Sequence, residues 1–172
     1  LDNSLDNCTE LTHITFGDEF VQPLDNSLDN CISLTHLTFG HWFNQPLDNV
    51  LYNYQALTHV SFGYWFNQKI DLPFQLRSLR LNCNNLYLIE HLPDGIEELE
   101  LGMHFNLELS NLPSTIEKII FARLCCYDEK LNCLPRGLKY LQLPVFYSQQ
   151  IQNIPLGLEK LKCTIDYVFI ND

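Results

Sequence analysis

The chain has 172 residues, of which 46% are hydrophobic and 18% are charged, and its formal net charge is -11. The hydrophobic content excludes a disordered tail. The acidic balance argues against nucleic acid and anionic membranes as partners, because both require clustered Lys and Arg. No apolar run is long enough to cross a bilayer. Eight acids precede the first basic residue, Lys69, so the imbalance is concentrated in the first part of the chain. The sequence begins at Leu1 without a Met, and we therefore expect it to be a segment of a longer protein.

The sequence repeats itself. Residues 1–23, 24–46 and 47–69 are three near-copies with a period of 23 residues. A shorter kernel, apolar-x-x-apolar-x-apolar, continues beyond them. It occurs at Leu11-Ile14-Phe16, Leu34-Leu37-Phe39, Leu57-Val60-Phe62, Leu76-Leu79-Leu81, Ile96-Leu99-Leu101, Ile116-Ile119-Phe121, Leu138-Leu141-Leu143 and Leu158-Leu161-Cys163. Such periodicity is the mark of a repeat architecture.

The kernel predicts the fold. Its last two residues alternate with period two, which is strand geometry. One repeat is too short to bury its own apolar side, whereas stacked repeats with parallel strands can do so. We therefore predict an α/β, leucine-rich-repeat-like solenoid with one parallel sheet of about eight short strands and short helices or turns on the convex side. It forms a single unit over residues 1–172, with three 23-residue repeats in 1–69 and five shorter Leu-Pro repeats in 70–172.

The segments that return the chain from one strand to the next differ between the two parts. In the first repeats, Leu24, Leu28 and Cys31 are spaced as on two turns of helix, which Asp25 or Asn26 would cap. The later returns carry an apolar residue followed by proline, which suits an extended or turn-like path. These pairs are Leu72-Pro73, Leu92-Pro93, Leu112-Pro113, Leu134-Pro135 and Ile154-Pro155. We expect helix content to fall along the chain.

Three residue types recur after the strands. Glycines follow the strand directly and predict a turn that needs a positive φ or a close backbone approach; they are Gly17, Gly40, Gly63 and Gly102. Phenylalanines come three residues later and are expected to stack in the core: Phe20, Phe43, Phe66 and Phe105. Asparagines follow the last three of these, and their amides are expected to bond the neighbouring turn: Asn44, Asn67 and Asn106.

The segments Phe43–Leu47 and Phe66–Ile70 resemble the signature of FNIP repeats, as do Leu34–Gly40 and the later Leu-Pro-x-x-Leu/Ile-x-x-Leu pattern. FNIP repeats are a leucine-rich-repeat variant abundant in slime moulds and in giant viruses of amoebae. The resemblance spans the chain and is strongest over residues 1–70. It implies no catalytic residues and no cofactor. Some members carry an upstream F-box, which implies substrate recognition for a ubiquitin ligase. The Leu-Pro repeats also look like those of bacterial leucine-rich-repeat effectors, but the Phe-Asn-Gln-Pro segments do not fit that family.

In this architecture the kernel side chains point inward and their strand neighbours lie on the concave face, which we call the column face. The first column contains His13, His36, His59, Ser78, Glu98, Lys118, Tyr140 and Lys160. The second column contains Thr15, Thr38, Ser61, Arg80, Glu100, Ile120, Gln142 and Lys162. We predict partner binding at ten of these residues: His13, His36, His59, Arg80, Glu98, Glu100, Lys118, Tyr140, Lys160 and Lys162. The alternative is that these residues vary only because they are exposed to solvent and bind no partner.

Several local patterns keep two interpretations. The three stacked histidines, His13, His36 and His59, would repel one another when charged, which lowers their pKa values, and a metal could bridge two of them; a neutral polar ladder is the favoured reading. Trp42 and Trp65 are either an exposed aromatic step or rim packing. The Asp/Asn runs favour a solvated surface over Ca²⁺ binding. Among the seven cysteines, Cys125, Cys126 and Cys133 suggest a metal or redox site less strongly than a set of free thiols.

These patterns predict a protein-interaction module with an unknown protein partner, and no enzyme, because no nucleophile–base pair, phosphate loop or metal cluster is evident. The alternative is a structural or assembly element that associates end to end through its uncapped edges. No metal or other cofactor is expected. The odd number of cysteines without framework spacing favours a reducing compartment, namely the cytoplasm, or the host cytoplasm for a viral protein.

Overall fold

In the computed structural model, residues 5, 7–24, 27–47 and 50–163 are described. Eight parallel strands form one sheet in strict chain order, so each strand pairs with its sequence neighbours. The strands are β1 His13–Thr15, β2 His36–Thr38, β3 His59–Phe62, β4 Ser78–Leu81, β5 Glu98–Leu101, β6 Lys118–Phe121, β7 Tyr140–Gln142 and β8 Lys160–Lys162. Each strand with its return segment is one rung, numbered 1 to 8. The leucine-rich-repeat-like solenoid predicted from the kernel is confirmed.

The core is built from the kernel residues. In rungs 2 to 7 every kernel side chain is buried, whereas Leu11 and Ile14 in rung 1 and Leu158 and Leu161 in rung 8 are only partly buried. The end rungs have a described neighbour on one side only, and their apolar side chains are therefore half covered. No helix in the described residues is long and apolar enough to cross a membrane.

Aromatic rings form two adjacent stacks through the core of the first rungs. Phe39 stacks on Phe62 with ring centroids 5.4 Å apart, and Phe43 stacks on Phe66 at 6.2 Å. Within a rung the two stacks are in contact, with 4.3 Å between the ring centroids of Phe39 and Phe43. The prediction that Phe43, Phe66 and Phe105 stack in the core fits their burial, although Phe20 in the first rung is only partly buried.

The predicted helices of the first returns are wrong. Leu24, Leu28 and Cys31 are buried, as their helical spacing predicts. However, they lie on successive tight turns, in which Ser27 N donates to Leu24 O and Cys31 N donates to Leu28 O. Asp, Asn and Ser in these returns favour turns over helix, because their side chains compete for backbone groups. The proposed caps Asp25 and Asn26 lie outside the described residues.

Helix content does not fall along the chain as expected. In the described residues the first returns hold only a 3₁₀ turn at Leu51–Asn53, and α1, Leu86–Glu90, lies later, between β4 and β5. Asn85 caps α1, since its side-chain oxygen accepts from Leu88 N at 3.3 Å while its Nδ2 donates to Gln68 O at 2.8 Å. A polar side chain that is satisfied on both sides can be buried at this helix start, as Asn85 is.

The Leu-Pro returns form turns, as predicted. In each of the five later rungs the proline carbonyl accepts a hydrogen bond from the backbone N–H of the first kernel residue. These donors and acceptors are Leu76 to Pro73, Ile96 to Pro93, Ile116 to Pro113, Leu138 to Pro135 and Leu158 to Pro155. The missing proline N–H is no loss here, because the turn uses only the proline carbonyl.

The glycines after the strands are explained by close approach of backbone. None of the described glycines has a positive φ. A Cβ added to Gly63 would overlap the carbonyl group of Gly40, and one added to Gly40 would overlap that of Gly17. Gly17, in the first rung, has open space at that position. At Gly40 and Gly63, glycine is therefore required because the turn of the preceding rung leaves no room for a Cβ.

The polar residues of the Phe-Asn-Gln segments join consecutive rungs. Asn67 N donates to the Asn44 side-chain oxygen at 2.9 Å, and Gln68 Nε2 donates to Asn44 O at 3.0 Å. Gln45 Nε2 donates to Val21 O at 2.8 Å. In later rungs Asn84 accepts from Asn106 N at 2.8 Å, and Asp128 accepts from Ser148 N. The expected amide role thus holds for Asn44 and is taken over by other residues later.

Candidate functional site on the column face

The two columns form one continuous surface. The strand register aligns their members rung by rung, from His13 opposite His36 to Gln142 opposite Lys162. None of the sixteen column residues is buried, whereas the kernel residues between them are, except in the end rungs. The sequence-predicted residues are therefore brought together on one accessible face. The use of that face for binding stays a prediction.

The histidine ladder, which comprises His13, His36 and His59, occupies the first column of rungs 1 to 3. Its rings are stacked nearly parallel, with centroids 4.0 Å apart in both pairs and interplanar angles of 13° and 11°. Each ring also lies beside a threonine of its own rung. The Nδ1–Oγ1 distances are 2.9 Å for His13 and Thr12, 2.8 Å for His36 and Thr35, and 2.8 Å for His59 and Thr58.

The threonine contacts fix the histidine tautomer. Thr35 Oγ1 donates its only hydrogen to Thr12 O at 2.9 Å, so it accepts from Nδ1–H of His36. The neutral ring then has its lone pair on Nε2, as a hydrogen-bond acceptor. Partial burial lowers the pKa of His36, and the neighbouring charges of His59 and His13 lower it further. The central ring of the ladder, His36, is therefore a neutral imidazole at neutral pH.

In rungs 4 to 6 the columns carry ion pairs in place of histidine and hydroxyl side chains. Arg80 Nε lies 3.7 Å from a carboxylate oxygen of Glu100, and Lys118 Nζ lies 2.8 Å from one of Glu98. Arg80 thus pairs with the glutamate of its own, second column. Each pair joins adjacent rungs within one column, because the strand register sets these side chains opposite each other.

Tyr140 lies between the lysines of the neighbouring rungs in the first column. Its ring lies between two ammonium groups, with Lys118 Nζ at 5.9 Å and Lys160 Nζ at 5.5 Å from the ring centroid. These distances suit cation–π attraction. The phenol donates to Gln142 Oε1 at 3.3 Å, and Gln142 Nε2 donates to Phe121 O at 3.0 Å. The ring is thereby tied to the sheet backbone.

Exposed apolar side chains recur after the strands of four rungs, and sequence reasoning missed two of them, Leu124 and Phe146. Trp42 and Trp65 are about half exposed and stack at 5.6 Å, which confirms the aromatic step over rim packing. Leu124 and Phe146 occupy the corresponding place in rungs 6 and 7 and are exposed as well. All four lie two residues after the turn position. That spacing could have revealed Leu124 and Phe146, but Ala122 and Pro144 replace the turn glycine in their rungs.

The cysteines divide by burial. Cys31, Cys83 and Cys125 are buried, whereas Cys126 and Cys133 are exposed, and all seven thiols are free. Burial raises the pKa of Cys83 to about 12, and Cys125 Sγ donates to Phe105 O at 3.3 Å. No group of three or more potential metal ligands occurs in the part of the chain that the structure describes. The inward-facing Cys125 is not available to a site with its exposed neighbours.

Comparison with known proteins agrees with the sequence and the fold. Residues 84–123, which span α1, β5 and β6, match the FNIP Repeat family. The chain contains FNIP repeat sequence. The match lies in the second half, whereas the Phe-Asn-Gln-Pro resemblance is strongest over residues 1–70, so FNIP features occur on both sides of rung 4. No curated protein matches the sequence significantly.

A solved structure shares the fold of this solenoid. It is the crystal structure of CroV588, a giant-virus protein described as "a novel circular LRR protein structure". The two align with a TM-score of 0.72 and 31% sequence identity over 90% of this chain. This chain covers 24% of that protein. The architecture described above therefore corresponds to one arc of a larger leucine-rich-repeat protein in the neighbour.

Proposed function

We propose that this FNIP solenoid is a protein-interaction module that binds a partner protein on its column face and catalyses no reaction. The observation that carries the proposal is the unbroken pair of columns across eight rungs, accessible throughout and chemically different from rung to rung. Solenoids bind partners along extended surfaces of this kind. The proposed contacts are His13, His36, His59, Arg80, Glu98, Glu100, Lys118, Tyr140, Lys160 and Lys162.

The chemistry of the histidine ladder supports binding over catalysis. The nearest hydroxyl to each ring is a threonine, and the Thr35 hydroxyl accepts from His36 rather than donating to it. A histidine in this arrangement does not take a proton from that hydroxyl, so Thr35 is not an activated nucleophile. The free thiols suit a reducing compartment, and we place the module in the cytoplasm, or in the host cytoplasm for a viral protein.

A matched pair of triple variants tests the proposal. The column variant is Arg80→Ala, Tyr140→Ala and Lys160→Ala; the control is Arg136→Ala, Tyr52→Ala and Lys130→Ala, which removes the same residue types from exposed positions outside the columns. A partner captured from cells and cross-linked to the column face should be lost from the first variant and kept by the second. A partner that both variants retain, with cross-links elsewhere, would exclude the column face.

A narrower form of the proposal is substrate recognition for a ubiquitin ligase. It is supported by the F-box that some FNIP proteins carry. In cells that express the natural full-length protein, the captured partner should be ubiquitinated and should accumulate when the column variant replaces the wild type. Unchanged ubiquitination and abundance of a partner that has lost binding would remove this role and leave the binding module.

The second candidate function is structural assembly. It is favoured by the open sheet, in which β1 and β8 each pair on one side only in the described residues, and by the circular form of the neighbour. Strand edges of this kind promote association. Light scattering at increasing concentration distinguishes the candidates: assembly predicts a mass that rises with concentration, and a binding module predicts a constant mass until its partner is added.

A further inference from the structure

The column face has a charge opposite to that of the rest of the chain. Its two columns contain four cations and two carboxylates, so with neutral histidines the face carries +2 in a chain of net charge -11. The carboxylates are Glu98 and Glu100, and the cations are Arg80, Lys118, Lys160 and Lys162. A face that is positive on an acidic protein marks a surface with its own electrostatic preference.

The excess charge lies in rung 8. Glu100 is paired with Arg80 at 3.7 Å and Glu98 with Lys118 at 2.8 Å, which uses both carboxylates of the columns. Lys160 and Lys162 are exposed, and neither forms an ion pair with any residue in the described part of the chain. Two ammonium groups on one strand are thus left for a ligand.

Neighbouring side chains hold this region in place. We define the basic patch as Lys118, Tyr140, Lys160 and Lys162. The Tyr140 ring contacts the ammonium groups on both sides and is itself tied through Gln142 to the backbone of Phe121. Because the ring limits the freedom of Lys160 before a ligand arrives, binding there loses less side-chain entropy than binding to a free surface lysine.

We propose that the basic patch binds a short, extended acidic segment of the partner protein, with carboxylates two residues apart on Lys160 and Lys162. This inference rests on the proposed binding function of the column face. Residues two apart on an extended chain are separated by roughly 6.6 Å, in the ligand as in β8. An Asp or Glu at every second position therefore matches the two lysines.

The acidic first half selects a short segment over a long polyanion. Residues 1–68 contain no Lys or Arg, and Glu10, Asp18 and Glu19 are exposed there. Charges farther than about 8 Å are screened at physiological salt, so these acids do not repel a ligand confined to rungs 6 to 8. A nucleic acid that continued along the solenoid would meet them without compensating cations.

The probe is a fluorescein-labelled peptide, Ser-Glu-Ser-Glu-Ser-Glu-Ser, followed by fluorescence anisotropy at low salt. We expect saturable binding that weakens with added salt and falls about tenfold in the variant Lys160→Glu and Lys162→Glu. Binding should survive in Lys160→Arg and Lys162→Arg. The matched control, Lys130→Glu and Arg136→Glu, makes the same charge change at exposed sites outside the columns and should bind as the wild type does. Circular dichroism verifies the fold of each variant.

Three results would overturn the inference. They are an acidic peptide that does not bind the wild type, an equal loss of binding in the control, and tighter binding of a single-stranded oligonucleotide of equal charge. A wild type that dimerises while the Lys160→Glu and Lys162→Glu variant stays monomeric would also overturn it, since the occupant is then a second copy.

The same variants separate this inference from the proposed function. If the charge reversal keeps the natural partner but the column triple variant releases it, the acidic segment is wrong and the binding module stands. If neither variant releases the partner, the column face itself is not the binding surface.

Discussion

Rungs 1 to 3 and rungs 4 to 8 share one core but present different faces. The first three rungs are near-copies whose columns contain only His, Thr and Ser, with stacked histidines beside threonines. The later rungs vary and carry paired charges, with a basic excess at the end. Behind both faces the kernel residues of rungs 2 to 7 are buried alike.

The difference shows which positions the fold constrains. Tyr127 and Tyr147 replace phenylalanine in the aromatic stack of the core in the later rungs, and their ring centroids are 6.1 Å apart. These two replacements keep an aromatic ring packed in the core. The column positions hold His, Ser, Glu, Lys and Tyr in the same register, because a side chain that points to solvent does not have to fit a packed core.

The strongest test of the shared core is truncation of one ring in each part. Phe43 and Phe121 are both fully buried, so Phe43→Ala and Phe121→Ala should each lower the free energy of unfolding by about 3–5 kcal/mol. Trp42→Ala, at the exposed neighbour of Phe43, should cost well under half of that. Urea unfolding measures all three. A small loss for one buried ring only would indicate that the two parts do not share one cooperative core.

A smaller effect separates two glycines at the same position of different rungs. Gly63→Ala should destabilise by about 1–3 kcal/mol, because its Cβ overlaps the Gly40 carbonyl and the backbone must shift. Gly17→Ala should be nearly neutral or slightly stabilising, since the space beside it is open. Thermal unfolding of the pair gives the comparison. Equal losses at both sites would mean that a feature other than stacking of successive turns requires glycine.

Much of this structure follows from the sequence, for identifiable reasons. The kernel predicts the strands and both columns, because side chains alternate with period two and one register fits every buried set. The return segments are less predictable. Leu24, Leu28 and Cys31 have helical spacing, but their apolar side chains are buried equally well by a chain of turns, and periodicity does not distinguish the two.

The details of the column face depend on side-chain geometry that spacing does not contain. Arg80 lies one rung from both Glu98 and Glu100, and only the register within its own column selects Glu100. The position of Tyr140 between two lysines likewise requires the ring direction as well as the rung number. The sequence therefore predicts which residues share the face and leaves their pairing open.

The histidine ladder predicts an acid-sensitive first part. Because the pKa of His36 is lowered in the fold, the unfolded chain binds more protons near its ordinary pKa of about 6.5, and stability falls as the pH decreases through that value. Between about pH 7.5 and 5.5 the wild type should lose about 1–2 °C more in melting temperature than His36→Gln does. The exposed His91→Gln, remote from the ladder, serves as the control. An identical loss in wild type and His36→Gln would show that the ladder is not coupled to folding.

The smallest expected effect concerns the ion pairs that distinguish the later face. Lys118 and Glu98 lie 2.8 Å apart with side chains 39% and 28% exposed, so water weakens their attraction. A double-mutant cycle with Lys118→Met and Glu98→Gln should give a coupling of roughly 0.2–1 kcal/mol that shrinks in high salt. The longer Arg80–Glu100 pair, at 3.7 Å, should give less. A coupling well above this range that resists salt would mean that the pair stabilises the fold. The charges of rungs 4 to 6 would then be part of the framework, and a partner would be selected only by rungs 7 and 8.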